Sequence, residues 1–240
     1  MSDKSIKIMY LYSNDMNIYG DYGNILTVKK RLELYGYKAE IINYNQGDIF
    51  PEDVDIIIGG GGQDSGQEKI QDDLQKIGPK LKELADKNAP MLVICGLYQL
   101  FGNFFQTASG QKINGIGLLN IETYARPERL IGNIVTHNEE FGEIIGYENH
   151  SGQTFLGHKM SALGRVRLGA GNNTLDISEG ARYKNVIGTY LHGSLLPKNP
   201  AIADFLIEKA VMNKYGEFKQ IKLDDKYTDK ARKIAMKRPR

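Results

Sequence analysis

Cys95 is the single cysteine of the 240-residue chain. It stands where the apolar run Met91–Cys95 gives way to Gly96 and to a helix-like stretch, Leu97–Phe101. Strand, sharp turn and helix in that order form a nucleophile elbow, which lifts a reactive atom clear of a sheet. Free amides at the helix start would favour the thiolate and lower its pKa; a small buried hydrophobe is the other reading of a lone cysteine. A thiol that attacks a carbonyl also needs a base and donors for the oxyanion. Of the four histidines, His192 in NVIGTYLHG directly follows a second apolar strand, so one rim of a sheet can carry both groups. His137 and His158 stand among polar residues and suit surface or capping roles; His150, in YENHSG, suits a loop. The backbone of Gly60, Gly61 or Gly62 can supply oxyanion donors at the end of a third apolar run. The same glycines do not read as a phosphate cradle: no Lys-Ser or Lys-Thr follows at the required spacing, and Asp64 would repel phosphate. The chain shows no ATP-binding motif and no metal-ligand cluster.

Such groups need a sheet to hold them. Ile6–Tyr12, Ala39–Tyr44, Asp55–Ile58 and Met91–Cys95 read as short buried strands. Between them, Ile25, Val28 and Leu32 recur at helical spacing before Gly36. A long amphipathic helix follows through Ile70, Leu74, Ile77, Leu81 and Leu84, with a kink or restart expected at Pro79. Strand and helix in alternation imply a flavodoxin-like α/β fold, a mostly parallel sheet with helices on both faces, whose ligands gather at the carboxyl ends of the strands. The second half is less regular. Ile113–Tyr124, Ile131–Thr136 and Tyr183–Leu191 read as strands, and Ala201–Tyr215 as a helix opened by Asn199-Pro200 and closed by Gly216. One domain is expected over 1–216, with 217–240 as a basic C-terminal helix or tail.

Composition narrows the class. Apolar residues make up 41% and charged residues 25%, as in ordinary globular proteins. A lone thiol fits a reducing cytosol, and no signal peptide or membrane span is apparent, so a cytoplasmic protein is expected. The net charge of +2 hides an asymmetry, because residues 222–240 hold eight Lys or Arg against three Asp. That tail lacks the run of interleaved aromatics that nucleic-acid stacking requires. A solvated helix or frayed end is the expectation, with a docking element as the other reading.

Taken together, ICGLYQ, GGGGQD and GTYLHG resemble the class I, triad-type glutamine amidotransferases, in their cobyric acid synthase-like branch. YGDYGNI, YENHSGQT, GAGNN, EGARYKNVIGTYLHG and LLPKN are similar to the glutaminase subunits of lipid II isoglutaminyl synthases, from about residue 8 to residue 215. The resemblance implies that Cys95 attacks the side-chain amide of glutamine and His192 protonates the departing ammonia. It places oxyanion donors at Gly61 and Gly96, and substrate-binding roles at Arg129, Gln99 and Gly61. By itself Arg129 is equally a surface charge and Gln99 a polar residue on a helix face. Leu97 departs from the family signature, which has glycine there. Ser194 departs too, standing where triad-type enzymes carry a glutamate, and the resemblance assigns that carboxylate to a partner subunit. The implied partner is a Mur ligase-like synthetase, which would bind ATP and Mg and amidate the D-glutamate α-carboxyl of the lipid II stem peptide to D-isoglutamine at the inner face of the membrane. No cofactor or metal is implied for this chain, and no nucleic acid. Two alternatives stay open: a cobyrinic acid type amidotransferase subunit, and a non-catalytic flavodoxin-like binding module.

Overall fold

The apolar runs of the first half fold as their spacing predicts. The computed structural model describes residues 4–238. In chain order it begins with β1 (Ser5–Leu11), α1 (Tyr22–Leu34), β2 (Lys38–Tyr44), β3 (Ile56–Gly59), α2 (Asp64–Asp86), β4 (Met91–Ile94) and α3 (Gly96–Phe101). Next come β5 (Phe104–Gln106), β6 (Lys112–Asn114), β7 (Ile121–Asn138), β8 (Gly142–Leu156), β9 (Gly164–Leu168) and β10 (Ser178–Glu179). The chain ends with β11 (Ala181–Tyr183), β12 (Val186–Thr189), α4 (Leu195–Lys198), α5 (Pro200–Tyr215) and α6 (Lys226–Ala235). One sheet runs β11-β12-β4-β3-β1-β2, parallel throughout except for the antiparallel edge strand β11. Every residue of β3, β4 and β12 is buried, which is why these strands read as continuous apolar runs without alternation. Helices α1 and α5 pack on each other and on β2 and β3, while α2 packs on α3, which lies against β12.

Pro79 does not restart α2, which runs unbroken for 23 residues. The turns on either side bury Leu74, Ile77 and Leu81 in the core, and that packing holds them as one helix across the lost backbone donor.

The second half departs further from its reading. The expected strand Ile113–Tyr124 is divided, β6 ending at Asn114 and β7 starting at Ile121. Residues 131–136 lie inside β7, an 18-residue strand with a bulge between Ala125 and Leu130. Its antiparallel partner β8 contains His150, which the sequence suggested was in a loop. These strands form a second sheet, β10-β9-β7-β5-β6 with β8 on β7. The expected strand Tyr183–Leu191 is the β11–β12 hairpin, turning at Lys184 with φ of 50°.

The basic C-terminal segment forms the helix α6, which has no buried residue, as the solvated reading expects, and two arginine clusters tie it to the domain. Arg31 on α1 makes paired hydrogen bonds to Asp204 of α5 at 2.6 Å and to Asp225, at the start of α6, at 2.7 and 3.0 Å. Arg232 of α6 donates to the carbonyls of Lys198 and Glu143 and to Asn199 Oδ1.

Candidate active site

The two sheets meet at the end of β4. Cys95 follows that strand with φ of 50° and ψ of −105°, a conformation that side-chain-bearing residues seldom adopt. Its N–H donates to Thr189 O and its carbonyl accepts the Gln99 N–H, both at 2.9 Å, so the elbow is pinned to β12 and α3. Leu97 fits this turn because Gly59 leaves it room: a Cβ on Gly59 would lie 2.3 Å from Leu97 Cδ1. Strand β12 lies beside β4 with Thr189 opposite Ile94, and His192 comes three residues later. The His192 N–H donates to Tyr147 O of β8 at 2.8 Å, so the second sheet fixes its backbone. Thiol and imidazole flank Gly61, where a Cβ would sit 2.8 Å from His192 Cε1 and 3.3 Å from Cys95 Cβ. The shared rim expected from the sequence is present, and glycine at 61 makes the close approach possible.

Beside the thiol opens a cleft of about 350 Å³, lined among others by Tyr19, Gly62, Cys95, Gln99, Arg129, Asn149 and His150. Arg129 stands exposed at its mouth, donating from Nε to Asn149 Oδ1 at 2.7 Å. Gln99 lines the cleft with both ends of its amide engaged: Oε1 accepts from Gln67 at 2.8 Å and Nε2 donates to Tyr190 Oη at 3.0 Å. Tyr190 in turn stacks on His150, ring centroids 3.6 Å apart. Gln99 therefore shapes the floor. The Gly61 N–H does not face the cleft as the oxyanion reading supposes, because it donates to Asp21 Oδ2 at 2.9 Å. The next residue, Gly62, lines the cleft, and its nitrogen lies 3.1 Å from where a Cβ on Gly96 would stand. His137 pairs with Glu143 at 2.9 Å, away from the cleft lining.

Burial sets the electrostatics. It pushes the Cys95 thiol up to about 12, with the Asp21 charge adding to the effect and the Gly96 N–H and Arg129 opposing it. It pushes the His192 imidazole down to about 3, aided by His150, Arg129 and Lys198. The expectation of a low thiol pKa is thus reversed: α3 has only six residues and its amides do not outweigh desolvation. The resting pair is a neutral thiol and a neutral imidazole. Cys95 in the isolated chain should react slowly with iodoacetamide at pH 7, the rate climbing about tenfold per pH unit up to about pH 10. Mass spectrometry of the Cys95 peptide gives the rate, and a pH-independent rate below 7 would show a preformed thiolate instead.

Beneath the site, Glu179 is completely buried, its Oε1 accepting the Thr189 hydroxyl at 2.7 Å and the Tyr190 N–H at 2.9 Å. Burial raises its pKa from 4.5 to about 8. Between those values the native state keeps a proton that the unfolded chain has released, so stability falls as pH rises through the window. Glu179→Gln keeps the acceptor and removes the titration. Urea midpoints at pH 5 and pH 8.5 should show the wild type losing more than the variant, on the order of 1 kcal/mol per pH unit across the window.

The chain belongs to the CobB/CobQ-like glutamine amidotransferase domain family, whose model matches residues 7–200. It is 38% identical over 97% of its length to "Lipid II isoglutaminyl synthase (glutamine-hydrolyzing) subunit GatD" of Staphylococcus aureus (strain N315), covering 96% of that protein. Its identity to the Streptococcus pneumoniae (strain ATCC BAA-255 / R6) subunit of the same name is 40%, covering 88% of this chain and 83% of that one. Among solved structures, a glutamine amidotransferase superposes with a TM-score of 0.57 at 16% identity, covering 84% of this chain and 98% of that one, a likeness of fold.

The sequence reading missed Asp21, Tyr19 and Asn149. Asp21 lies in the turn-like stretch NIYGDYGN yet is fully buried; nothing in its neighbours signals that burial.

Proposed function

We propose that this chain is a glutaminase subunit. It hydrolyses L-glutamine and passes ammonia to a separate Mur ligase-like synthetase, which uses ATP and Mg to amidate the D-glutamate α-carboxyl of the lipid II stem peptide, giving D-isoglutamine. The observation that carries the chemistry is the placement of Cys95 and His192 on either side of Gly61, with Cys95 lining the cleft. The names of the two relatives above support the acceptor. Glutamine enters with its carboxylate toward Arg129, the cation at the cleft mouth. Cys95 sulfur attacks the amide carbon while its proton passes to His192. The oxyanion is held by the amides of Gly62 and Gly96, in place of Gly61. The tetrahedral centre collapses, the C–N bond breaks, and His192 gives its proton to the leaving nitrogen, releasing ammonia. Water, deprotonated by His192, then cleaves the glutamyl thioester to glutamate and restores the thiol.

Exposed apolar side chains near the cleft suit a covering subunit: Ile18 lines it, Tyr147 pairs with His192, and Ile131 lies opposite Asn149. The test is to combine the chain with a Mur ligase-like synthetase, ATP, Mg, lipid II and glutamine labelled with ¹⁵N in its amide. Label should appear in the stem-peptide amide. Unlabelled product formed in the presence of the labelled glutamine would refute the reading.

A further inference from the structure

A chain of buried amides and hydroxyls runs beneath the cleft, and one backbone oxygen sets its direction. Gln67, in the first turn of α2, donates from Nε2 to Gly96 O at 3.0 Å and to Gln99 Oε1 at 2.8 Å. A carbonyl only accepts, so Gly96 fixes which end of the Gln67 amide is nitrogen, and both of its hydrogens are spent. The Gln99 atom facing Gln67 is therefore the oxygen, and the Gln99 nitrogen donates to Tyr190 Oη at 3.0 Å. The tyrosine's own hydrogen is left for Thr154 Oγ1 at 2.7 Å, which lies 2.7 Å from Thr123 Oγ1. Tyr190 and both threonines are fully buried.

Tyr190 is the fixed member of this chain. Glu179 accepts its N–H at 2.9 Å, Tyr98 meets its ring nearly edge-on with centroids 5.2 Å apart, and His150 lies flat on it at an interplanar angle of 6°. Ring and hydroxyl therefore have little freedom. Gln99 and Gly152 both line the cleft, and a Cβ on Gly152 would lie 2.3 Å from Gln99 Nε2. Glycine at 152 thus leaves the nitrogen end of the Gln99 amide uncovered. One of its two hydrogens is spent on Tyr190 and the second has no hydrogen-bond partner among the described residues. An amide held at one end swings about that bond; held at both ends, by Gln67 and Tyr190, it keeps one plane.

We propose that Tyr190 is a positioning residue for the substrate: its hydroxyl anchors the Gln99 amide so that the second Nε2 hydrogen is presented to an acceptor oxygen of bound glutamine. Glutamine offers such oxygens at its carboxylate and its γ-carbonyl. A reversed Gln99 amide would turn its own oxygen toward them, and it would also set two NH2 groups against each other at Gln67. Gln67 therefore selects the orientation and Tyr190 holds it in place. Tyr190 touches no substrate itself; it acts from behind the cleft wall, through Gln99. This rests on the glutaminase reading above.

The experiment compares wild type, Tyr190→Phe, Gln99→Ala, the double variant and Cys95→Ala in the complete synthetase complex. Tyr190→Phe keeps the ring on His150 and removes only the hydroxyl. It should raise the glutamine KM about tenfold, with kcat within about threefold of wild type, because the contact is made to bound substrate and transition state alike. If the hydroxyl acts through Gln99, the two losses should not multiply: Gln99→Ala and the double variant should share one KM within about twofold. A wild-type KM in Tyr190→Phe, or KM rises that multiply, with Cys95→Ala inactive on glutamine, would overturn the proposal alone. Glutamine turnover by Cys95→Ala would overturn the reading beneath it. Should Tyr190→Phe fail to fold, hydrogen exchange of the Gln99 side-chain amide, followed by ¹⁵N NMR of the full wild-type chain, decides. Protection of about tenfold or more over a free glutamine side chain is expected, and exchange at the free rate contradicts it.

Discussion

Cys95→Ala in the synthetase complex should abolish glutamine-dependent amidation, with a loss on the order of 10⁵-fold, while ammonium-dependent amidation continues at the wild-type rate. The substitution removes one sulfur atom from a residue 6% exposed, on a backbone held by hydrogen bonds to Thr189 and Gln99. Fold and partner surface should therefore survive. What is lost is the atom that forms the thioester, and neither His192 nor the oxyanion amides can replace it. Glutamate release from glutamine measures the first half of the claim, and product formed from ammonium the second. A Cys95→Ala complex that still turned over glutamine within tenfold of wild type would remove the thiol from the chemistry.

His192→Asn should cost about 10³-fold or more in glutaminase kcat, again sparing the ammonium-dependent reaction. Asparagine is smaller than imidazole, stays polar in a position that is 1% exposed, and cannot carry a proton from thiol to leaving nitrogen. Because nucleophile and base act on one proton, the two losses should not add: the double variant should match Cys95→Ala within a few-fold. Steady-state kinetics of the four enzymes settles this, and losses that multiplied would mean that the groups act in separate steps.

The parallel half of the fold was legible because physics leaves it few choices. β3, β4 and β12 are buried at every position and appear as unbroken apolar runs, and the buried positions of α2, at Ile70, Leu74, Ile77 and Leu81, repeat at helical spacing. Cys95 and His192 could be placed together since each follows such a run. The second sheet was harder. Residues 125–129 of β7 and the His150 region of β8 are strands with polar or partly exposed positions, broken by a bulge near Pro127. Their pairing partner, which periodicity cannot supply, makes them strands. The site divides likewise. A sulfur and an imidazole announce their chemistry by residue type, whereas Asp21 is one acidic residue in a polar turn until the Gly61 N–H and the close approach of Gly60 are seen to hold it. The thiol pKa was misjudged for a similar reason: a helix start is visible in sequence, but the desolvation that outweighs it belongs to the packed molecule.

Attack of Cys95 on the γ-carbonyl of glutamine is the central claim, and covalent capture tests it most directly. The complex is incubated with acivicin, an electrophilic glutamine analogue, digested, and the modified peptide mapped by mass spectrometry. A single adduct on Cys95 is expected, forming at least tenfold more slowly in His192→Asn and suppressed by excess glutamine. Modification elsewhere in the chain, or labelling of Cys95 that glutamine does not protect, would contradict it.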